Sequence, residues 1–386
     1  MSDDRRSNRI EFLEQSDIRR MSEECARLDG LNLGQGICPL PSPPEVLDGA
    51  AEAVREDLST YSSFRGAEPL RTAISEKLVA YNGLDVGPDD IVVTIGATGA
   101  FASAMQGLFD PGDEIAMFEP YYGYHVNAAR GAGLNCSFIP LEPPAWDISR
   151  STIEAELSDD TRAIVVNTPV NPSGKVMSRQ ELEVVARVCR KHDLIAITDE
   201  IYEYFLYGDQ DHISLATLPG MDERTVTISG FSKTFAITGW RLGYAAAPES
   251  LLEPIGLVND LHYVCAPTPL QHGVARAMER LSEDYYTRLA EDFESRRDLF
   301  CEALEEAGLH PYWPDGAYYV LADVRSLGEP SARDAAMTIL REAGVASVPG
   351  SAFFDSEVGE GLVRFCYAQP QDVLRQAAEQ LTETFG

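Results

Sequence analysis

Short apolar runs alternate with longer amphipathic stretches from about residue 88 to residue 250. This alternation is typical of a mainly parallel sheet covered by helices, because parallel strands need a long crossover between them. Seven runs have the length and composition of buried strands: 91–96, 114–119, 136–141, 163–168, 194–200, 225–230 and 242–247. The pattern therefore predicts an α/β fold built on a sheet of about seven strands.

Two stretches between these runs show helical spacing of apolar residues, 69–83 and 178–193. The second begins with Ser178 and Glu181, which have the spacing of a capping box. Near residue 283 the chain changes to a long, charged helical pattern, which suits a helix that leads into a second unit.

The length of the chain indicates two domains, because 386 residues exceed what one hydrophobic core usually supports. We expect a large domain over 46–282. A smaller α+β domain would combine the N-terminal residues 1–45 with the C-terminal segment 283–386.

The net charge of −31 limits the partners of this chain. A phosphate backbone needs Lys and Arg to replace its counterions, so an acidic surface disfavours nucleic acid and anionic membranes. A surface adapted to high salt explains the same acidity without any partner. We expect neither a nucleic-acid nor a membrane partner.

The cysteines and the apolar segments indicate the compartment. Seven cysteines occur without a CxxC pair, and their odd number argues against a complete disulfide framework. No apolar run approaches the roughly 18 residues of a membrane helix, and the N-terminus lacks the apolar core of a signal peptide. The sequence predicts a cytoplasmic protein with reduced thiols.

Lysine is scarce, and only Lys77, Lys175, Lys191 and Lys233 occur. Lys233 follows the predicted strand 225–230 and is flanked by small residues that let another group approach closely. A lysine amine becomes a nucleophile when burial or a nearby cation such as Arg241 lowers its pKa. A surface lysine at a strand end is an equally good interpretation of this segment alone.

A glycine-rich turn follows the first strand, in the segment 91–109, and a helix is expected to begin near Thr98. The first N–H groups of a helix have no partner within it, so they favour an anion such as phosphate. GATGA matches neither the dinucleotide pattern nor the P-loop, so a plain strand–helix turn without a ligand stays open.

Asp199 lies at the carboxyl end of a strong strand, where open α/β sheets bind their ligands. An apolar run followed by Asp-Glu also resembles the magnesium-binding acid of nucleotide hydrolases. That interpretation needs a GxxxxGK[ST] motif, which this chain lacks. We therefore predict no metal site.

Seven segments occur in one order along the chain: LGQGICPLPSPP (33–44), YSSFRGAEPLR (61–71), TIGATGA (94–100), NTPVNPSGKV (167–176), TDEIYEYF (198–205), SGFSKTFAITGWRLGY (229–244) and VRFCYA (363–368). Together they resemble the fold-type I aminotransferases that depend on pyridoxal 5'-phosphate, particularly the branch of aspartate, aromatic and kynurenine/glutamine transaminases. The resemblance implies the fold of these transferases and a homodimer with shared active sites. It also implies ping-pong transfer of an amino group from an L-amino acid to a 2-oxo acid.

The resemblance implies a catalytic role for three residues. Lys233 would bind the cofactor aldehyde as a Schiff base and move the proton at the substrate Cα. Asp199 would pair with the pyridine nitrogen and keep it protonated. Tyr202, together with Asn171, would hydrogen-bond the phenolic oxygen of the ring. A core tyrosine and a turn-forming asparagine are the alternative roles of the last two.

The resemblance also implies how the rest of the cofactor and the substrate are held. Tyr122 would stack on the ring, with Tyr121 and Tyr124 as competitors, and Tyr61 would reach the cofactor phosphate of the neighbouring subunit. Arg364 would bind the substrate α-carboxylate beside Gly36. The phosphate would rest on Ala97, Thr98, Arg241 and Ser229, with Ser232 as the alternative serine because Gly230 replaces the serine of many relatives.

Two questions stay open at this point. Elimination at Cβ–S is an alternative reaction on the same cofactor, because the choice of bond depends on geometry that sequence does not give. No arginine obviously serves a second substrate carboxylate. A regulatory protein on the same scaffold is disfavoured, since the first 30 residues are too few and too acidic for a DNA-binding domain.

Overall fold

The computed structural model describes residues 16–386. The helices are α1 (Asp17–Arg27), α2 (Pro44–Arg55), α3 (Glu68–Lys77), α4 (Gly96–Leu108), α5 (Gly123–Ala132), α6 (Arg150–Ala155), α7 (Arg179–His192), α8 (Glu249–Tyr263), α9 (Thr268–Arg280), α10 (Glu283–Glu306), α11 (Ala332–Ala343) and α12 (Gln371–Phe385). The strands are β1 (Leu31–Asn32), β2 (Ile91–Ile95), β3 (Glu114–Glu119), β4 (Asn135–Pro140), β5 (Thr161–Asn167), β6 (Ile195–Asp199), β7 (Thr225–Gly230), β8 (Leu242–Ala246), β9 (His310–Tyr312), β10 (Tyr319–Asp323), β11 (Val345–Ala346), β12 (Val348–Pro349) and β13 (Leu362–Cys366).

The central sheet has seven strands in the order β2, β8, β7, β6, β5, β3, β4. Only β8 runs antiparallel to its neighbours β2 and β7. The four pairs among β7, β6, β5, β3 and β4 are parallel. The seven predicted strands and the α/β class are confirmed.

Both faces of this sheet are buried, which explains why its strands read as continuous apolar runs. In β5, Ala163 and Val165 pack on one side with α4 and α8, whereas Ile164 and Val166 pack on the other side with α7. Alternate residues of a strand point to opposite faces, so each run supplies two layers of core.

The helices lie close to their predicted positions. The Ser178–Glu181 capping box forms at the start of α7, where the Glu181 carboxylate accepts from the Ser178 backbone N–H at 2.9 Å. The long charged segment is α10. Helix α4 begins at Gly96, two residues before the predicted Thr98, because Gly96 turns the chain directly out of β2 at a φ of +69°.

A second, antiparallel sheet has the order β12, β13, β10, β9. Its core unites both ends of the described chain: Met21 and Leu33 pack in the same cluster as Phe300, Leu304 and Phe365. The domain bounds 46–282 and 283–386 stay a prediction, and residues 1–15 of the expected small domain lie outside the described residues. Among residues 16–386, no helix has both the length and the apolar character needed to cross a bilayer.

The topology brings several chain segments to one edge of the central sheet. Strands β2, β5, β6 and β7 end there, and β8, which runs the opposite way, begins there. The residues just beyond those strand ends are therefore neighbours, although the end of β2 at Ile95 and the start of β8 at Leu242 are 147 positions apart in sequence. This edge holds the candidate site.

Candidate active site

A cavity of about 360 Å³ lies at this edge of the sheet. Its lining includes ten of the residues predicted from sequence: Gly36, Ala97, Thr98, Tyr122, Asn171, Asp199, Tyr202, Lys233, Arg241 and Arg364. The other two predicted site residues, Tyr61 and Ser229, are not among the lining residues.

Lys233 differs from the other three lysines in its partner. Lys77, Lys175 and Lys191 each form an ion pair with a glutamate, at 2.5 to 2.9 Å. The Lys233 amine instead donates to the Gly36 carbonyl at 3.0 Å, and no carboxylate within residues 16–386 is recorded as its ion-pair partner. Burial lowers the pKa of this amine to about 8. About a tenth of it is then neutral at pH 7, which is far more than for a free lysine.

Asp199 is buried at the end of β6 and is held on both carboxylate oxygens. One oxygen is 2.9 Å from Nε2 of His125, and the other accepts from the Ile201 backbone N–H at 3.2 Å. The His125 ring stacks on Phe101 and meets Tyr122 edge-on. A buried carboxylate with fixed partners keeps one orientation, which suits it to hold a proton on a facing group.

The start of α4 and Arg241 form an anion-binding corner. Ala97 and Thr98 lie in the first turn of α4, whose N–H groups have no partner within the helix. A Cβ on Gly96 would lie 2.8 Å from Nη2 of Arg241, so glycine lets the guanidinium approach the helix start. Ser232 also lines the cavity. A phosphate fits this combination of dipole, hydroxyls and cation.

Ser229 is not among the residues that line the cavity, and its contact with a phosphate stays a prediction. Its hydroxyl donates to Glu203 at 2.9 Å, and its side chain is buried away from the cavity. The neighbouring Gly230 has a packing role, because a Cβ there would lie 2.9 Å from the Gly243 Cα on the adjacent strand. The alternative serine, Ser232, lines the cavity.

Arg364 lies on β13 and is almost completely buried in the cavity wall. Its guanidinium donates to Oδ1 of Asn171 at 2.9 Å and to the Gly34 carbonyl at 2.6 Å. Its carbon centre lies 4.4 Å from the Tyr319 ring and 4.7 Å from the Phe353 ring, which hold the plane of the fork. The Nε donor of Arg364 has no partner within the described chain. A buried, unused donor on a fixed guanidinium is suited to a carboxylate.

Tyr202 and Gly36 meet through a residue that the sequence did not single out, Tyr319. The Tyr202 and Tyr319 hydroxyls are 2.9 Å apart. A Cβ on Gly36 would lie 3.1 Å from Cζ of Tyr319 and closer still to its hydroxyl, so only glycine fits there. Burial raises the pKa of Tyr202 well above 10, so its hydroxyl keeps a proton to donate.

The family profile "Aminotransferase class I and II" matches residues 29–381. The chain belongs to this family. Like its members, this aminotransferase depends on pyridoxal 5'-phosphate. The described residues fit that group, because one cavity contains an amine with a lowered pKa, an oriented carboxylate and the start of a helix that can bind an anion. Ten of the twelve predicted site residues therefore line one cavity.

Relatives match the aminotransferase along nearly its whole length. Kynurenine–oxoglutarate transaminase 3 of Rattus norvegicus is 35% identical, with 98% of this chain and 90% of that protein covered. Aspartate aminotransferase of Pyrococcus abyssi is 34% identical, with 97% of each chain covered. The structure of N-succinyldiaminopimelate aminotransferase from Mycobacterium tuberculosis superposes with a TM-score of 0.95 at 32% identity, covering 98% of this chain and 100% of that one.

The aromatic residues before α5 lie at different depths. Tyr122 and Tyr124 both line the cavity, with ring centroids 5.3 Å apart, whereas Tyr121 packs against Phe138 outside its lining. Tyr61 lies away from the cavity of its own chain and is 77% exposed. Tyr122 and Tyr124 therefore have access to the cavity, and the choice of the ring-stacking residue stays a prediction.

Three residues of this aminotransferase site were missed by sequence reasoning: His125, Phe101 and Tyr319. His125 meets Asp199 across 74 positions, and Tyr319 meets Tyr202 across 117. Phe101 lies in α4 and packs under His125. The only sequence signal for His125 was its place three residues after Tyr122, which carries no chemical pattern.

A second polar cluster is buried behind the site. Donor atoms of Glu200, Glu203 and His212 lie within 4.8 Å of one another. The carboxylate of Glu203 already pairs with Lys77 at 2.5 Å, and His212 lies 2.8 Å from Glu200. Since Lys77 supplies a positive charge there, the cluster is part of a buried ion-pair network.

Proposed function

We propose that Lys233 binds pyridoxal 5'-phosphate covalently and that the enzyme moves an amino group from an L-amino acid to a 2-oxo acid by a ping-pong mechanism. The observation that supports this proposal most is the state of the Lys233 amine. It lines the cavity, donates a hydrogen bond to a carbonyl and to no other group among residues 16–386, and has a pKa lowered to about 8 by burial. A neutral amine at this position can form a bond to an aldehyde.

The cofactor, when bound, supplies an aldehyde carbon that accepts amines and a ring that withdraws electrons from the substrate Cα. Asp199 would keep a proton on the ring nitrogen, and His125 fixes the direction of that carboxylate. Lys233 Nζ would take the proton from the substrate Cα and return it to the cofactor. The 2.9 Å contact between His125 and Asp199 supports the first of these roles.

The proposed ring and phosphate contacts follow from the lining of the cavity. Tyr202 and Asn171 would donate to the phenolic oxygen of the ring, and Tyr122 would stack on its face. Ala97 and Thr98 N–H groups would hold the phosphate together with the side chains of Thr98, Ser232 and Arg241. Arg241 adopts a left-handed backbone conformation at a φ of +55°, which is uncommon for a residue with a side chain and is frequent at binding sites.

Arg364 would bind the α-carboxylate of the substrate beside Gly36. Its unpartnered Nε and its two stacked aromatic neighbours support a bidentate interaction. Asn171 already accepts from this guanidinium, so it would contact both the cofactor and the carboxylate binder. The amide side chain of Asn171 would then connect the cofactor ring with the guanidinium that binds the substrate carboxylate.

The experiment that tests the proposal compares the purified protein with Lys233→Ala, and with Lys191→Ala as a surface control. Visible absorption is recorded before and after adding single amino acids without an acceptor. We expect loss of the visible band in the parent protein and in the control. Lys233→Ala should hold the cofactor only non-covalently and turn over at least about a hundredfold more slowly. Normal turnover of that variant would reject the proposal, and release of pyruvate and ammonia would favour Cβ–S elimination instead.

We also propose a homodimer with shared active sites. Large apolar side chains are exposed on and after α8, including Leu261 at 80%, and Tyr61 is exposed as well. Such exposure on a folded chain indicates an interaction surface. The expected particle mass in solution, measured by light scattering, is that of two chains.

A mixing experiment tests whether Tyr61 serves the partner's site. Tyr61→Ala and Lys233→Ala are each expected to have low activity as homodimers. In a mixed dimer, the subunit with Lys233 receives an intact Tyr61 from the partner, so activity should recover. No recovery after subunit exchange would mean that Tyr61 does not act across the interface.

We place the enzyme in the cytoplasm. All seven cysteines are free thiols, as expected of a reducing compartment. Separation of cell fractions followed by detection of the chain tests this placement, and recovery with the membrane fraction would contradict it. The division into a large domain over 46–282 and a small domain from both chain ends remains part of the same proposal.

A further inference from the structure

We propose that the cavity selects amino acids with uncharged, apolar side chains over aspartate and glutamate. This inference rests on the proposed function, in which Arg364 takes the α-carboxylate and Lys233 faces the cofactor. It concerns the part of the cavity that remains for the substrate side chain.

Within one subunit, the charges that line the cavity leave no cation for a second carboxylate. The lining within residues 16–386 contains three cationic side chains: Lys233, Arg241 and Arg364. In the proposed function each of them already has an anionic or covalent partner. Asp199, the one lining carboxylate, adds negative charge next to His125. A side-chain carboxylate entering this cavity would lose water without gaining an opposite charge, which is unfavourable.

The part of the cavity wall that remains for the substrate side chain includes large apolar residues, and two of them are exposed to solvent. Ile18 from α1, Ile37 from the loop after β1, and Tyr124 from α5 all line the cavity. Ile37 is 42% exposed and Tyr124 is 41% exposed, although both are large apolar side chains. An aliphatic or aromatic substrate side chain would cover this surface and remove it from water.

The stacked tyrosines Tyr122 and Tyr124 also favour an apolar or aromatic substrate side chain. Tyr122 and Tyr124 stack with an interplanar angle of 24°, and Tyr122 is the residue proposed to lie on the cofactor ring. A substrate ring beside Tyr124 would extend an existing stack rather than disturb one. Gln35 also lines the cavity, and its amide can hydrogen-bond a hydroxyl without a charge.

The first test measures the donor half-reaction of the holoenzyme with phenylalanine, leucine, methionine, aspartate and glutamate. We expect kcat/KM for phenylalanine to exceed that for aspartate by at least about tenfold. Equal or greater values for aspartate or glutamate would overturn the inference and leave the proposed function intact. If none of the five reacts, the proposed function itself fails.

The second test measures binding by calorimetry with two unreactive carboxylates, 3-phenylpropionate and succinate. The holoenzyme should bind 3-phenylpropionate more tightly. Ile37→Arg should raise the affinity for succinate about tenfold, because a charge-assisted hydrogen bond replaces an apolar contact. The matched control Ile37→Gln adds length and polarity without charge, and should give no comparable gain.

Two outcomes of the calorimetry would reject the inference. One is tighter binding of succinate than of 3-phenylpropionate by the parent enzyme, since that requires a cation at the wall. The other is an equal gain from Ile37→Gln and Ile37→Arg, since charge would then not be the missing feature. Ile18→Arg, on the neighbouring part of the wall, replaces Ile37→Arg if the latter does not fold.

Discussion

The hydroxyl oxygens of Tyr202 and Tyr319 lie 2.9 Å apart in a buried part of the cavity wall. The ring of Tyr319 also stacks on the guanidinium of Arg364, at 4.4 Å. Tyr319 therefore touches both the proposed partner of the cofactor ring and the proposed binder of the substrate carboxylate. A single side chain fixes the distance between the two.

Tyr319→Phe removes one hydroxyl and keeps the ring on Arg364. Tyr202 then loses its recorded partner, so we expect a loss of about 1–3 kcal/mol in the free energy of unfolding. We also expect the pH at which the visible band of the holoenzyme changes to shift, because Tyr202 is freer to reorient. Chemical denaturation and a spectral titration measure the two effects.

Tyr318→Phe is the control for that variant. Its hydroxyl lies 3.5 Å from the Gly36 carbonyl, which is too long for a strong hydrogen bond. The change should cost less than Tyr319→Phe in the free energy of unfolding and leave the spectral titration where it was. Equal behaviour of the two variants would contradict the special role of Tyr319.

The buried amine of Lys233 makes stability depend on pH in a defined direction. Its pKa falls from 10.5 to about 8 on folding, so between these values the unfolded chain binds a proton that the folded chain has released. The free energy of unfolding of the cofactor-free protein should rise with pH across this window, by up to about 3 kcal/mol. Denaturation of the parent and of Lys233→Met between pH 7.5 and about 10.5 isolates the contribution. A difference that is flat or falls with pH would show that the amine is not buried.

Two serines near the same strand end should behave differently. Ser232→Ala removes a lining hydroxyl from the anion-binding corner, so the dissociation constant of the cofactor should rise about five- to thirtyfold. Ser229→Ala should leave that constant unchanged, because its hydroxyl serves Glu203. Fluorescence titration of the two apo variants with pyridoxal 5'-phosphate measures both. The reverse pattern would return Ser229 to the phosphate.

The buried ion pair between Lys77 and Glu203 should make Lys77 important for stability. Its ammonium lies 2.5 Å from the Glu203 carboxylate, and both side chains are at most 11% exposed. Lys77→Met leaves Glu203 buried with less positive charge, and we expect a loss of about 3–5 kcal/mol in the free energy of unfolding. Lys191→Met, at a half-exposed pair with Glu154, should lose less than about 1 kcal/mol. Similar losses in the two variants would mean that the Lys77 pair is screened.

The strands of the central sheet were predictable because burial on both faces makes each of them a continuous apolar run, as in 163–168. Residues that follow strand ends, such as Asp199 and Lys233, were predictable for the same reason. Parallel topology brings all such ends to one edge, so their neighbourhood follows once the strands are known.

Contacts that depend on the direction of a side chain were not predictable. Ser229 and Ser232 are both small hydroxyl residues near Lys233, and only the pleat of β7 places Ser229 on the face toward Glu203. His125 and Tyr319 carry no local pattern and acquire their roles through partners 74 and 117 positions away. Their contacts arise only when α5 and β10 pack near the edge of the central sheet.

The proposal that Lys233 binds the cofactor covalently is tested most directly by locating the covalent bond. The holoenzyme is treated with borohydride, digested and analysed by peptide mass spectrometry. We expect a pyridoxyl group on Lys233 and on none of the other three lysines. A pyridoxyl group on Lys77, Lys175 or Lys191, or an unmodified Lys233 in fully loaded enzyme, would contradict it.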